Sequence, residues 1–151
     1  MEFSKSKINL FLLLKLPSAF FCGVRTQYID AQKCVVSVKH RWINQNPFNS
    51  MYFAVQAMAA ELSTGALVMA QIKQSNSNIS MLVANSKSNF SKKATGKILF
   101  SCLDGDLISN GIKNAIATKE GQTIWMKSIG TNEMGEQVSE FDFEWSVKLK
   151  G

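Results

Sequence analysis

From Met51 to Ile72 the chain runs without a proline and with a single glycine, Gly65. Ala54, Ala57, Ala59, Ala60, Ala66 and Ala70 alternate there with methionine and leucine, all good helix formers. The segment therefore reads as one long helix, with Asn49 or Ser50 as its N-cap. It is apolar almost all the way round, so it belongs inside a fold and not on its surface. Its alanines allow other backbones to approach closely. By length it comes near to spanning a bilayer. Gln56, Glu61, Ser63, Thr64 and Gln71 interrupt it, however, and a carboxylate at the midpoint is costly in lipid. The expectation is a core helix with no stable membrane insertion.

A helix of this kind needs a cover, and the rest of the chain supplies strands. Phe21 to Ile29 reads as a first strand after Pro17, and Cys34 to Lys39 as a second, rich in β-branched residues. A polar loop from Trp42 to Ser50 leads into the long helix. Beyond it, Ile79 to Asn85 alternates and continues more weakly to Phe90, and Gly96 to Leu103 alternates again. Asp106 opens a short helix on which Leu107, Ile108, Ile112 and Ala115 have helical spacing. Thr123 to Ile129 follows as a strand. The last strand has the sharpest pattern: Phe141, Phe143, Trp145, Val147 and Leu149 alternate with Asp142, Glu144, Ser146 and Lys148. One of its faces is wet and the other must be covered. The last four strands can pair through short connections into one antiparallel sheet. The expected class is α+β, a curved antiparallel sheet wrapped around a long central helix, with residues 1–151 forming a single domain.

Composition excludes several functions. With 46% hydrophobic and 19% charged residues the chain is globular, not disordered. Its net charge of +6 is spread out, with only Lys92, Lys93 and Lys97 close together. The excess reads either as solubility or as attraction to an anionic ligand such as a phosphate-bearing cofactor. No dense basic stripe with interleaved aromatics is present, so no nucleic-acid partner is expected. Cys22, Cys34 and Cys102 are far apart, and His40 is the one histidine. No metal site is expected from such a set, and free thiols fit a cytoplasmic protein. Asn78-Ile79-Ser80 and Asn89-Phe90-Ser91 match the glycosylation acceptor pattern by chance in a Ser/Asn-rich chain. At the N-terminus, Lys15 and Pro17 break the apolar run Ile8 to Leu14. Residues 1–16 therefore read as an amphipathic helix ending before Pro17, not as a targeting signal.

Glu61 is the most informative single residue. Its helical neighbours Ala57, Met58, Thr64 and Gly65 carry no positive charge. A buried carboxylate without a local partner is costly, and its pKa tends upward. It is either salt-bridged to Arg25, Arg41 or a lysine on another element, or kept for function. His40, at a strand end, reads as structural or surface. No GxSxG nucleophile motif is present. Asp104 and Asp106, around Gly105, read as turn and helix-cap residues. Lys92 and Lys93 form either a solvated turn or a clamp on cofactor phosphates. Tyr52 reads as packing, or as a polar group at a site.

The stretch Asn46-Pro47-Phe48-Asn49-Ser50-Met51-Tyr52-Phe53-Ala54-Val55-Gln56-Ala57-Met58-Ala59-Ala60-Glu61-Leu62 resembles the defining segment of thioesterase-like hotdog proteins of the phenylacetate-degradation (PaaI) type. It is still more similar to an uncharacterised, domain-of-unknown-function branch of that superfamily. In such proteins an Asn lies in the loop before the helix, a His-Gly-Gly or similar step opens it, and an Asp or Glu follows about two turns later. Asn46 and Glu61 fall at the Asn and acid positions with the family's spacing, and the element order agrees from about Pro17 to Leu149. The chain departs at Tyr52-Phe53-Ala54, which stands where active members often have His-Gly-Gly. Phe53 and Ala54 keep their backbone N–H groups, but the bulk of Phe53 bears on the approach that glycine permits.

The resemblance implies the hotdog fold and a thioesterase-like activity on acyl-CoA or a related acyl thioester. Glu61 would act as general base on water, or as nucleophile. Asn46 would orient water or substrate, and the N–H groups of Phe53 and Ala54 would bind the developing oxyanion. Tyr52, Lys92 and Lys93 complete the expected substrate contacts. Such sites usually form between two subunits, which implies a homodimer or dimer of dimers with Asn46 and Glu61 from different protomers. No resident cofactor or metal is implied. The alternative is a non-catalytic acyl- or CoA-binding or scaffold protein of the same fold, which the missing glycines favour.

Overall fold

The computed structural model describes residues 3–151. Helix α1, Lys5–Lys15, is capped by Ser4, whose side chain accepts from the Lys7 N–H. It buries Ile8 and Leu12. The chain does not turn to strand at Phe21. Pro17 opens a second helix, α2, Pro17–Phe21, at its first position, where a missing N–H costs nothing and the fixed φ suits a helix. Gly23, at φ 95°, ends the turn, and strand β1 begins only at Arg25, running Arg25–Ile29.

Strand β2, Cys34–Lys39, and the polar loop containing a 3-10 turn, Trp42–Asn44, lead to the long helix α3, Phe53–Gln74. Its N-cap is Tyr52 and not Asn49 or Ser50. Asn49 adopts a left-handed φ of 59° inside the loop and turns the chain before the helix begins. The helix is long and apolar enough to cross a membrane, yet most of it is buried inside the fold. Ala59, Ala60, Leu62, Ala66, Leu67 and Val68 all lie in the core.

Strands β3, Ile79–Phe90, and β4, Lys97–Cys102, precede helix α4, Gly105–Thr118, and strands β5, Gln122–Thr131, and β6, Gln137–Leu149, follow it. All six strands form one antiparallel curved sheet in the order β1-β2-β4-β5-β6-β3. The last four strands do share one antiparallel sheet, but β3 does not lie beside β4, its neighbour in sequence. β3 pairs instead with β6 from Ile79↔Leu149 to Phe90↔Ser139, because these two long strands match along nearly their whole length. β4 lies between β2 and β5.

The sheet wraps α3, as the hotdog fold requires. On β6 the inward residues Phe141, Phe143, Trp145 and Val147 are buried, while Asp142, Glu144 and Ser146 are only partly covered. The Trp145 Nε1 donates to Thr64 Oγ1 at 2.9 Å, so the indole that packs on α3 also satisfies its N–H there. Ser63 Oγ donates to Ser128 Oγ at 2.7 Å, tying α3 to β5. Gly105 lets α4 start directly against the β1–β2 turn: a Cβ there would lie 2.1 Å from the Ala31 carbonyl oxygen.

Candidate active site

The segment before α3 is a closed loop held together by Asn46. The Asn46 Oδ1 accepts from the backbone N–H of Phe48 at 2.9 Å and of Ser50 at 3.2 Å. Its Nδ2 donates to Ser50 Oγ at 2.9 Å and to the Met51 carbonyl at 3.3 Å. The Asn46 amide is therefore turned into its own loop and sets the direction in which the chain enters the helix.

The loop delivers an uncapped helix start. Tyr52 supplies no side-chain cap. Its carbonyl accepts from the N–H groups of Val55 and Gln56. The N–H groups of Phe53 and Ala54 have no hydrogen-bond partner among the described residues. Two orphan donors at the positive end of a 22-residue helix suit a developing negative charge. These are the two N–H groups that the resemblance assigns to an oxyanion, and Phe53 and Ala54 leave both without a partner in the fold.

Five of the expected site residues share one groove here. Asn46, Tyr52, Phe53, Lys92 and Lys93 line a cavity of about 590 Å³, together with Gln56 and Phe90. The Phe53 ring leans on Phe90 of β3 with centroids 6.1 Å apart, and Phe90 meets Phe141 at 5.6 Å, so an aromatic wall runs from the helix start into the core. The two lysines are already engaged. Lys92 is ion-paired with Glu136, and the Lys93 Nζ donates to the Phe48 carbonyl at 3.1 Å, which braces the Asn46 loop.

Glu61 lies elsewhere. It is about two turns and 12 Å further along α3 from Phe53, half-buried. It faces a second groove of about 400 Å³ with Phe11, Gly65, Met69, Met81, Val83 and Trp145. A third, of about 300 Å³, adjoins it beneath the α1–α2 junction, lined in part by Lys15, Pro17 and Met58. Neither Arg25 nor Arg41 pairs with it, and among the described residues its carboxylate has no ion pair or hydrogen bond. Arg25 instead donates to the carbonyls of Phe20 and Val24. Burial alone holds the Glu61 carboxyl above its ordinary pKa. Gly65 keeps the space beside it clear: a Cβ there would lie 3.1 Å from Trp145 and 3.4 Å from Glu61 Oε1.

One chain therefore brings Asn46, Tyr52, Phe53, Lys92 and Lys93 together and leaves Glu61 and Ala54 out of that groove. Gln56 is the residue that the sequence did not single out as part of a site. Five residues separate it from Glu61, which turns the two side chains about 140° apart on the helix. The available signal was its place as the first of the five polar residues that interrupt the apolar run. Asp104 is the N-cap residue of α4, as expected, but its Oδ2 accepts from the Lys127 N–H at 2.8 Å and not from the helix.

Comparison with solved structures places the fold. A protein of unknown function from Pseudomonas aeruginosa, named a probable thioesterase, superposes with a TM-score of 0.81 at 20% identity, covering 96% of each chain. A protein of unknown function from Chlorobaculum tepidum does so with a TM-score of 0.82 at 14% identity, covering 98% of each. A thioesterase from Haemophilus influenzae gives a TM-score of 0.71 at 10% identity, covering 99% of this chain and 93% of its own. At such identities the likeness establishes the hotdog architecture. No curated protein matches the chain. The match that spans residues 5–147 is to the family described as a domain of unknown function, DUF4442, and the chain belongs to that family.

Proposed function

We propose that this protein is a thioesterase-like hotdog enzyme that binds an acyl thioester, such as an acyl-CoA, and hydrolyses it. The observation that carries this reading is Glu61, a carboxylate with no partner among the described residues, facing a largely apolar groove. A raised pKa brings it nearer to neutrality, where a general base works best. Glu61 takes a proton from water, the water oxygen attacks the thioester carbon, and the carbonyl oxygen gathers charge against the N–H groups of Phe53 and Ala54. The C–S bond then breaks, and the proton held by Glu61 goes to the departing thiolate. Names of thioesterases among structures of the same fold support the assignment.

The helix start and Glu61 lie in different grooves, which favours a site shared between protomers. The edge strand β3 is exposed along most of its length, and an open strand edge invites pairing with a second copy. A homodimer, or a dimer of dimers, would bring the Asn46 loop of one protomer to Glu61 of the other. Asn46 then acts by holding the loop and with it the helix start. A single domain of residues 1–151, with three free cysteines, suits a cytoplasmic setting. One observation favours the binding-only alternative: the Asn46 amide spends both its donor and its acceptor within its own loop.

Hydrolysis of a panel of acyl-CoAs, followed by release of free thiol, tests the proposal. The wild-type protein is expected to turn over at least one of them, and Glu61→Gln none. No turnover by the wild type across short, long and aromatic acyl groups, with tight binding retained, would leave the binding protein as the correct reading.

A further inference from the structure

Gln56 is only 4% exposed, and its Oε1 is buried with no hydrogen-bond partner. Its Nε2 likewise has no partner among the described residues. Buried side-chain amides in folded proteins are almost always paired, so one left open at the wall of a groove marks a place where something else supplies the partner. The groove is the one at the start of α3, which Gln56 lines beside Tyr52, Phe53 and Phe90. A primary amide offers both a donor and an acceptor, and its natural complement is another amide. The remaining lining is mainly apolar and aromatic, with Lys92 and Lys93 at one side. A narrow chain that carries amide groups and ends in an anion fits all three features.

We propose that Gln56 is a ligand-binding residue whose side-chain amide pairs with an amide of the carrier arm of the thioester, making this groove selective for pantetheine-type thiols over amide-free ones. This rests on the thioester reading above and specifies which part of the ligand lies at the helix start. An ordinary thioester tail without amides leaves Gln56 unpaired in the complex, and a site built around a buried polar group rejects a ligand that cannot satisfy it. The carrier arm therefore approaches along the aromatic wall, and the acyl group lies beyond it.

The test uses binding without turnover, by calorimetry on the full chain. The probes are pantetheine and an alkane thiol of equal length that lacks amides. Wild type is expected to bind pantetheine at least about tenfold more tightly than the alkane thiol. Gln56→Met, close in shape and without hydrogen bonds, is expected to lose that preference and to unfold no more easily than wild type. Gln56→Asn keeps the amide but withdraws it by one methylene, and it is expected to weaken pantetheine in the same direction should the methionine variant fail to fold. Equal pantetheine affinity in wild type and either variant overturns the proposal, as does a wild type that does not distinguish the two probes. Because no hydrolysis is read, a protein that binds pantetheine through Gln56 yet never turns over an acyl-CoA defeats the catalytic reading alone.

Discussion

Asn9 of α1 occupies both backbone groups of Thr26 on β1: its Oδ1 accepts from the Thr26 N–H at 2.7 Å, and its Nδ2 donates to the Thr26 carbonyl at 3.2 Å. The amide stands where a further strand would pair, so this edge of the sheet is blocked by a helix. Replacing Asn9 by Ala is expected to cost about 1–3 kcal/mol, since it leaves partly buried backbone groups unpaired. Urea unfolding gives the stability change. An effect below the error of that measurement would show that water replaces the amide without loss.

With β1 blocked, the proposed self-association would use β3 at the opposite end of the sheet. Light scattering at micromolar concentration is expected to give at least twice the chain mass of 16.8 kDa. A clean monomer would remove the shared site and leave the Asn46 loop and Glu61 as unrelated features.

Phe143 stacks on Phe141 with centroids 6.0 Å apart inside the sheet, whereas the adjoining Glu144 accepts from Asn85 Nδ2 on the outside. Phe143→Ala is expected to cost about 3–5 kcal/mol. Glu144→Ala should stay within roughly 0.5 kcal/mol of wild type. Similar losses in both variants would be incompatible with the register of β6.

The Glu61 carboxyl has its pKa raised by burial. The folded protein thus holds this proton to higher pH than the unfolded chain does. Its contribution to stability is complete below the unfolded value of about 4.3 and is lost as pH rises through the folded value. Glu61→Gln, which carries no charge to desolvate, is expected to melt at a higher temperature than wild type at neutral pH. The two should converge at about pH 4 and below. Melting curves across that range decide it. A variant less stable at neutral pH would reveal a stabilising ion pair and argue for a structural carboxylate.

Cys34 and Cys102 stand opposite one another on β2 and β4, and burial pushes both thiols up to about 12. Iodoacetamide at about pH 8 should modify Cys22 alone in the native protein and all three thiols after denaturation. Rapid native labelling of Cys34 or Cys102 would mean that β2 and β4 separate readily.

The sequence revealed elements where one residue type faces one environment. The alternation of β6 was plain because its two faces meet core and solvent, and α3 was plain because it meets core on nearly all sides. Helix α2 was hidden because Pro17 ends one helix and starts the next, and only the second role shows in space. The β3–β6 pairing was hidden because the choice of strand partner is non-local. At the proposed site, the resemblance singled out Asn46 and Glu61 but could not say what their side chains touch. Asn46 is used up inside its loop, and Gln56 carries the open amide, which no local pattern distinguishes from an ordinary polar residue near a helix start.

The separation of the Asn46 loop from Glu61 on the same chain has a genetic consequence. If the proposed site is assembled across a twofold axis, two defective alleles, Asn46→Ala and Glu61→Gln, damage different halves of it. In each mixed dimer one site collects both lesions and the other collects neither. Co-expressed, the two alleles should restore up to about one quarter of the wild-type activity if subunits mix at random. Neither allele would regain anything with a second copy of itself. A site contained within one protomer would show no such rescue.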